Sequence, residues 1–151
     1  MTSADHRITG GCQCGAVRFA CEELGRASIC HCRMCQKAFG GFFGPLVTAK
    51  GVVWTRGEPA RFRSSNRVRR GFCATCGTPL TFEVDGATDI DIAIGAFDHP
   101  EAIAPVIQVG TQGRLPFIAE LAGLPELEPE ERQKFASYYD SIVSYQHPDH
   151  D

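Results

Sequence analysis

The sequence predicts a mainly β domain of small antiparallel sheets, stapled at clustered cysteines and followed by a C-terminal helix. Three observations predict it. Short apolar or alternating runs recur between residues 16 and 109. Seven of the 8 cysteines fall in three tight clusters, which converge without long elements to carry them. Helical apolar spacing appears only after Pro129. The expected division is residues 1–128 as the β domain and 129–151 as a helical extension packed on that domain or on a partner subunit.

In chain order, residues 16–21 alternate apolar and polar partners and form the first predicted strand. Residues 42–48 are apolar and bounded by glycines. Residues 52–54 make a short strand ahead of the turn Gly57-Glu58-Pro59. Residues 60–63 and 68–72 flank the polar Ser64-Ser65-Asn66 and read as a hairpin. Residues 80–84 follow the last cysteine cluster, residues 89–94 alternate up to Gly95, and residues 106–109 close the set. Residues 121–129 form an extended arm with three leucines and two prolines. A helix over 130–145 follows. Pro129 suits its first turn, and Glu130 and Glu131 favour the positive end of its dipole. Phe135, Tyr138, Tyr139, Ile142 and Val143 share one face, which docks on the body or makes a homodimer contact.

A chain of 151 residues fits one domain, and 43% hydrophobic with 22% charged residues is globular, not disordered. The formal charge of −3 becomes more negative once thiolates hold divalent metal, which counts against nucleic acid as a partner. Residues 1–10 lack the apolar run of a signal peptide, and no stretch approaches a membrane span. The expected compartment is the reducing cytoplasm, where thiols stay free for metal.

The clusters are Cys12-Gln13-Cys14, Cys30-His31-Cys32-Arg33-Met34-Cys35 and Cys73-Ala74-Thr75-Cys76. Two pairs can close a tetrahedral zinc and clamp distant strands, so Cys12, Cys14, Cys73 and Cys76 are assigned to a structural site. Gly11, Gly15 and Gly77 supply the tight turns it needs. Cys30, Cys32 and Cys35 hold a second zinc with an open fourth position, a site that can be empty as purified. Open sites do chemistry, because an incoming thiol there becomes a thiolate. His31 has three readings: a fourth ligand, a proton relay, or a packed histidine. Cys21 is in register with Phe19 and Val17 and reads as a small apolar residue.

With these residues placed, the chain resembles the glutathione-dependent formaldehyde-activating enzyme family, which includes the centromere protein V relatives. The resemblance is carried by the run from Gly10 to Phe19 around Cys12-Gln13-Cys14-Gly15, by Cys30-His31-Cys32-Arg33-Met34-Cys35-Gln36-Lys37 through Gly44, by Ser64-Ser65, and by Arg70-Gly71-Phe72-Cys73-Ala74-Thr75-Cys76-Gly77 through Leu80. It implies a β-tent-like fold, a structural four-cysteine zinc, a three-cysteine zinc at the active site, and carbon–sulfur lyase activity. The implied substrate is a small thiol–aldehyde adduct such as S-hydroxymethylglutathione. Gly40, Gly41, Phe42 and Phe43 would line its pocket, the two phenylalanines serving equally well as core. Arg70 would hold a substrate carboxylate. The chain departs from the family at Gln108-Val109-Gly110, where relatives often carry His-Ile-Trp-like residues. Two further functions compete with the lyase: a non-catalytic zinc module that binds a protein partner, and thiol redox or metal handling.

Overall fold

The computed structural model describes residues 6–151. The first half of the leader reading over residues 1–10 lies outside them. The strands are β1 (Ile8–Gly11), β2 (Arg18–Cys21), β3 (Glu23–Cys30), β4 (Gly44–Lys50), β5 (Val53–Arg56), β6 (Ala60–Arg63), β7 (Val68–Phe72), β8 (Pro79–Val84), β9 (Ile90–Ala93) and β10 (Ile107–Val109). The helices are α1 (Arg33–Phe39), α2 (Pro129–Lys134) and α3 (Ala136–Ser141). One sheet has the order β1-β2-β5; the other has the order β10-β3-β4-β9-β8-β7-β6. All pairings are antiparallel except β10 on β3, which is parallel. Among the described residues, no helix is long and apolar enough to cross a membrane.

The core lies where the small sheet meets the large one. Phe19 of β2 is fully buried, as are Leu80 of β8 and Ile92 of β9. The Phe19 ring stands edge-on to Trp54 at 6.0 Å and to Phe97 at 5.1 Å. Each such contact adds to the area buried. Cys21 lies in this core with no exposure, and burial raises its thiol pKa, as suits a small apolar residue. Arg18 is also buried. Its guanidinium donates two hydrogen bonds to Asp98, at 2.9 and 2.7 Å, and Asp98 accepts a third from Thr9.

Three elements lie beyond the predicted set: β1, β3 and α1. The strand β3 carries Gly25 and has one buried residue, Ala27, so its sequence lacks a strong apolar alternation. The predicted strand over 42–48 begins later, at Gly44, because α1 and its turn occupy the residues before it.

The C-terminal segment needs correction. The expected helix over 130–145 is two short helices parted at Phe135, whose backbone is non-helical and has no capping side chain. Pro129 does open α2, with Glu130 and Glu131 in its first turn. The apolar face does not dock on the body: Phe135, Tyr138, Tyr139, Ile142 and Val143 are all exposed. Contact with the body comes from the residues beyond. The His147 N–H donates to the Gln13 carbonyl at 2.7 Å, and the Asp151 carboxylate accepts from Arg18 at 2.8 Å.

Candidate metal centres

Two hairpin turns build the first centre. The β1–β2 turn carries Cys12 and Cys14, and the β7–β8 turn carries Cys73 and Cys76. All four sulfurs lie within 4.8 Å of one another, with 3.6 Å between Cys12 and Cys14 and 3.9 Å between Cys14 and Cys73. Tetrahedral thiolates at about 2.3 Å from zinc stand about 3.8 Å apart, so the donor set fits that ion. All four cysteines are free thiols. Backbone bonds hold each turn. The Val17 N–H donates to Cys12 Sγ at 3.3 Å, and the Gly77 N–H to the Cys73 carbonyl at 2.8 Å. Gly15 and Gly77 both adopt positive φ, at 79° and 80°, which a turn this tight requires.

The second centre sits at a strand-to-helix junction. Cys30 ends β3, Cys32 caps α1, and Cys35 lies in its first turn. The Cys35 N–H donates to Cys32 Sγ at 3.4 Å, so a ligand sulfur also satisfies the helix start. These three sulfurs again lie within 4.8 Å. Cys35 is buried, while Cys30 and Cys32 are partly exposed. Three convergent thiols with two reachable from solvent suit a zinc that keeps one position open.

The thiols differ within each centre. Burial pushes Cys35 up to about 12 against the lowering effect of Arg70. Burial also raises Cys32, but N–H groups of Cys35 and Met34 and the neighbouring sulfurs more than offset it, and its net shift is downward. Cys76 is opposed by burial yet falls to about 6 through hydrogen bonds from Thr78. At Cys14 the Ala16 N–H lowers the value, but burial and three neighbouring thiols carry it up to about 12. Metal-free thiols this close do not all ionise together; a divalent ion displaces their protons.

His31 lies outside both donor clusters. It is fully buried, its Nε2 stands 2.8 Å from Gln108 Oε1, and its ring packs edge-on to Phe43 at 5.9 Å. Its Nδ1 is buried with no partner among the described residues. Gly40 ends α1 with φ 62°, and Gly41 and Phe42 are exposed in the turn that follows, Phe42 lying against Phe117. Arg70 is buried and donates to Cys35 Sγ at 3.3 Å. The cavity beside the second centre, about 220 Å³, is lined by Arg70, Phe39, Phe62, Phe72 and Pro79, and not by the 40–43 turn.

Sequence reasoning missed three residues that shape this centre. A Cβ at Gly110 would lie 3.1 Å from the Cys32 nitrogen and 3.3 Å from Cys30 Sγ, so the chain after β10 packs directly on the ligands. Gln36 is buried, and its amide donates to the carbonyls of His31 at 2.8 Å and Gly113 at 2.9 Å, tying α1 to that loop. Gly110 and Gly113 carry no local motif. Gln36 offered the one available signal, an uncharged polar residue next to a ligand.

Residues 7–112 match the protein family described as glutathione-dependent formaldehyde-activating enzyme. A comparison with curated proteins gives no match. Among solved structures, a Rhodobacter sphaeroides protein is similar at 21% identity and a TM-score of 0.56, covering 68% of this chain and 100% of its own. That likeness concerns the fold.

Proposed function

The chain belongs to the glutathione-dependent formaldehyde-activating enzyme family, and from that premise we propose that it is a zinc-dependent carbon–sulfur lyase. Its substrate is a small thiol–aldehyde adduct of the S-hydroxymethylglutathione type. The observation that carries this reading is the inequality of the two centres. One offers four thiols, while the other offers three, two of them partly exposed. We assign one zinc to each, in a cytoplasmic setting that keeps the thiols reduced.

Bound at Cys30, Cys32 and Cys35, zinc would supply the positive charge that stabilises a thiolate at neutral pH. The chain's own residues fix that site. Gln36 pins α1 to the 110–113 loop, and Arg70 offsets the negative charge that three thiolates leave on a divalent ion. In the lyase direction the adduct's hydroxyl loses its proton as the carbonyl forms. The C–S bond breaks, and its electron pair stays on sulfur, which leaves as the thiol once protonated. His31 is fully buried, and its ring bonds Gln108, which ties the backbone between two ligand cysteines to β10.

The test is to follow formaldehyde release from S-hydroxymethylglutathione by NMR, with zinc content measured on the same samples. Wild-type protein should speed the interconversion, and Cys32→Ser should return it to the buffer rate. A fully loaded wild-type protein that never exceeds the buffer rate would overturn the lyase reading. The competing reading, a non-catalytic protein-interaction module, draws on the exposed aromatic face of α2 and α3.

A further inference from the structure

Residues 124–131, just before and into α2, are leucine, proline and glutamate alone, with four glutamates and no basic residue. Pro125 and Pro129 fix their own φ and push the residue before each into extended backbone. Those residues, Leu124 and Glu128, stand at φ −63°, ψ 138° and at φ −59°, ψ 141°, in the polyproline II region. That conformation has three residues per turn, so it sets Leu124 and Leu127 on one side. Both leucines are exposed, at 64% and 47%. Glu126, Glu128, Glu130 and Glu131 form no ion pair among the described residues. A segment already fixed by proline loses little conformational freedom when it docks.

A surface of opposite charge lies on the body. An open groove of about 380 Å³ runs between α1 and the β6–β7 hairpin, lined by Arg33, Met34, Lys37 and Ala38 on one side and by Phe62 and Arg63 on the other. Arg63 is neutralised by Asp85. Arg33 and Lys37, one helical turn apart, are exposed and form no ion pair among the described residues. Met34 and Phe62 are exposed too, so the groove offers two large apolar side chains beside two free cations. Grooves with an aromatic wall are a recurring seat for polyproline II segments. Within one chain the groove and the leucine segment stay uncovered together.

We propose that the groove of one chain takes residues 124–128 of a second copy, with Leu124 and Leu127 on Met34 and Phe62 and the glutamates facing Arg33 and Lys37. The sign of the charge selects this contact over segment-to-segment pairing, which would set the glutamates of two copies against each other. Each chain carries one groove and one segment, so a two-fold pair makes the contact twice and closes. Arg33 and Met34 lie between Cys32 and Cys35, so the second copy's segment would border the three-thiol centre. Two leucines and a few exposed ion pairs per contact make a weak dimer, with Kd on the order of 10 μM. The inference is independent of the lyase reading.

The experiment is sedimentation velocity on the full chain over a range of concentrations, at low salt and at about 1 M salt. Wild-type protein should dimerise at low salt and weaken about tenfold or more at high salt. Leu124→Ser combined with Leu127→Ser should weaken the dimer by about tenfold or more at low salt. Reversing the groove (Arg33→Glu with Lys37→Glu) or the segment (Glu126→Lys with Glu128→Lys) should each do the same. A chain that carries all four reversals should regain the wild-type affinity to within about threefold. The leucine pair lies outside both centres, which keeps the test decisive if the groove reversal disturbs the turn between Cys32 and Cys35. A wild-type chain that stays monomeric at about 300 μM in low salt would overturn the proposal. So would a dimer that survives the leucine pair unchanged, which would place the contact on the face of α2 and α3. A dimer lost in either reversal and not regained by the four together would overturn it as well.

Discussion

At the scale of single residues, the two buried arginines meet burial with opposite solutions. Arg18 is fully paired, by Asp98 within the core and by Asp151 from the C-terminal segment. Arg70 keeps an unpaired nitrogen beside a candidate metal site. The Arg18–Asp98 pair leads to a stability prediction. Both side chains are buried, at 3% and 4% exposure, so removing Asp98 leaves the Arg18 guanidinium with only the half-exposed Asp151 as counter-charge. Asp98→Ala should destabilise the fold by about 3 kcal/mol, the low end for breaking a buried pair, measured by chemical denaturation. Burial pushes the Asp98 carboxyl up, but the bonds from Arg18 and Thr9 outweigh it and hold it below its ordinary 3.8. A depressed folded value means that the stabilisation is complete above pH 3.8 and fades as pH falls through the lowered value. Asp98→Asn should flatten that acid limb; a limb as steep as wild type's would show that another carboxylate drives it.

Among the elements, legibility followed the strength of the local pattern. The β6–β7 hairpin was readable to the residue, because polar Ser64-Ser65-Asn66 parts two clear runs. The helix α1 was not. Its seven residues sit between ligand cysteines and a glycine pair, and its start is capped by the Cys32 sulfur, a device that propensity does not report. The cysteines nonetheless converge in the two groups their spacing predicts, each able to hold a metal, since that spacing survives whether the backbone between them is strand, turn or helix. The 40–43 turn and Arg70 separate on the same ground. Both are expected as substrate contacts from resemblance; Arg70 lines the 220 Å³ cavity, while Gly40, Gly41 and Phe42 are exposed in the turn after α1. The C-terminal helix was legible as periodicity, but periodicity does not reveal what covers a face. Tyr138 is 63% exposed and Val143 72%. Tyr138→Ser and Val143→Ser should therefore each change stability by no more than about 0.5 kcal/mol at low protein concentration. A loss of several kcal/mol in the monomer would mean that this face packs on the body after all.

For the whole molecule, the two centres divide the labour of a small β domain. The four-thiol cluster brings the hairpin turn of the small sheet to that of the large one, and a metal held there would lock the sheets across the Phe19 core. The three-thiol cluster sits at the junction of β3 and α1, buttressed by Gln36, Gly110 and Arg70, and a metal bound there would leave without opening the core. This independence is the central claim, and zinc per chain tests it most directly, measured on protein purified without added metal and on Cys30→Ser, with far-UV circular dichroism on both. Two zincs falling to one in the variant, with the spectrum unchanged, is the predicted result. Loss of both zincs together, or one zinc in each protein even after reconstitution, would contradict it.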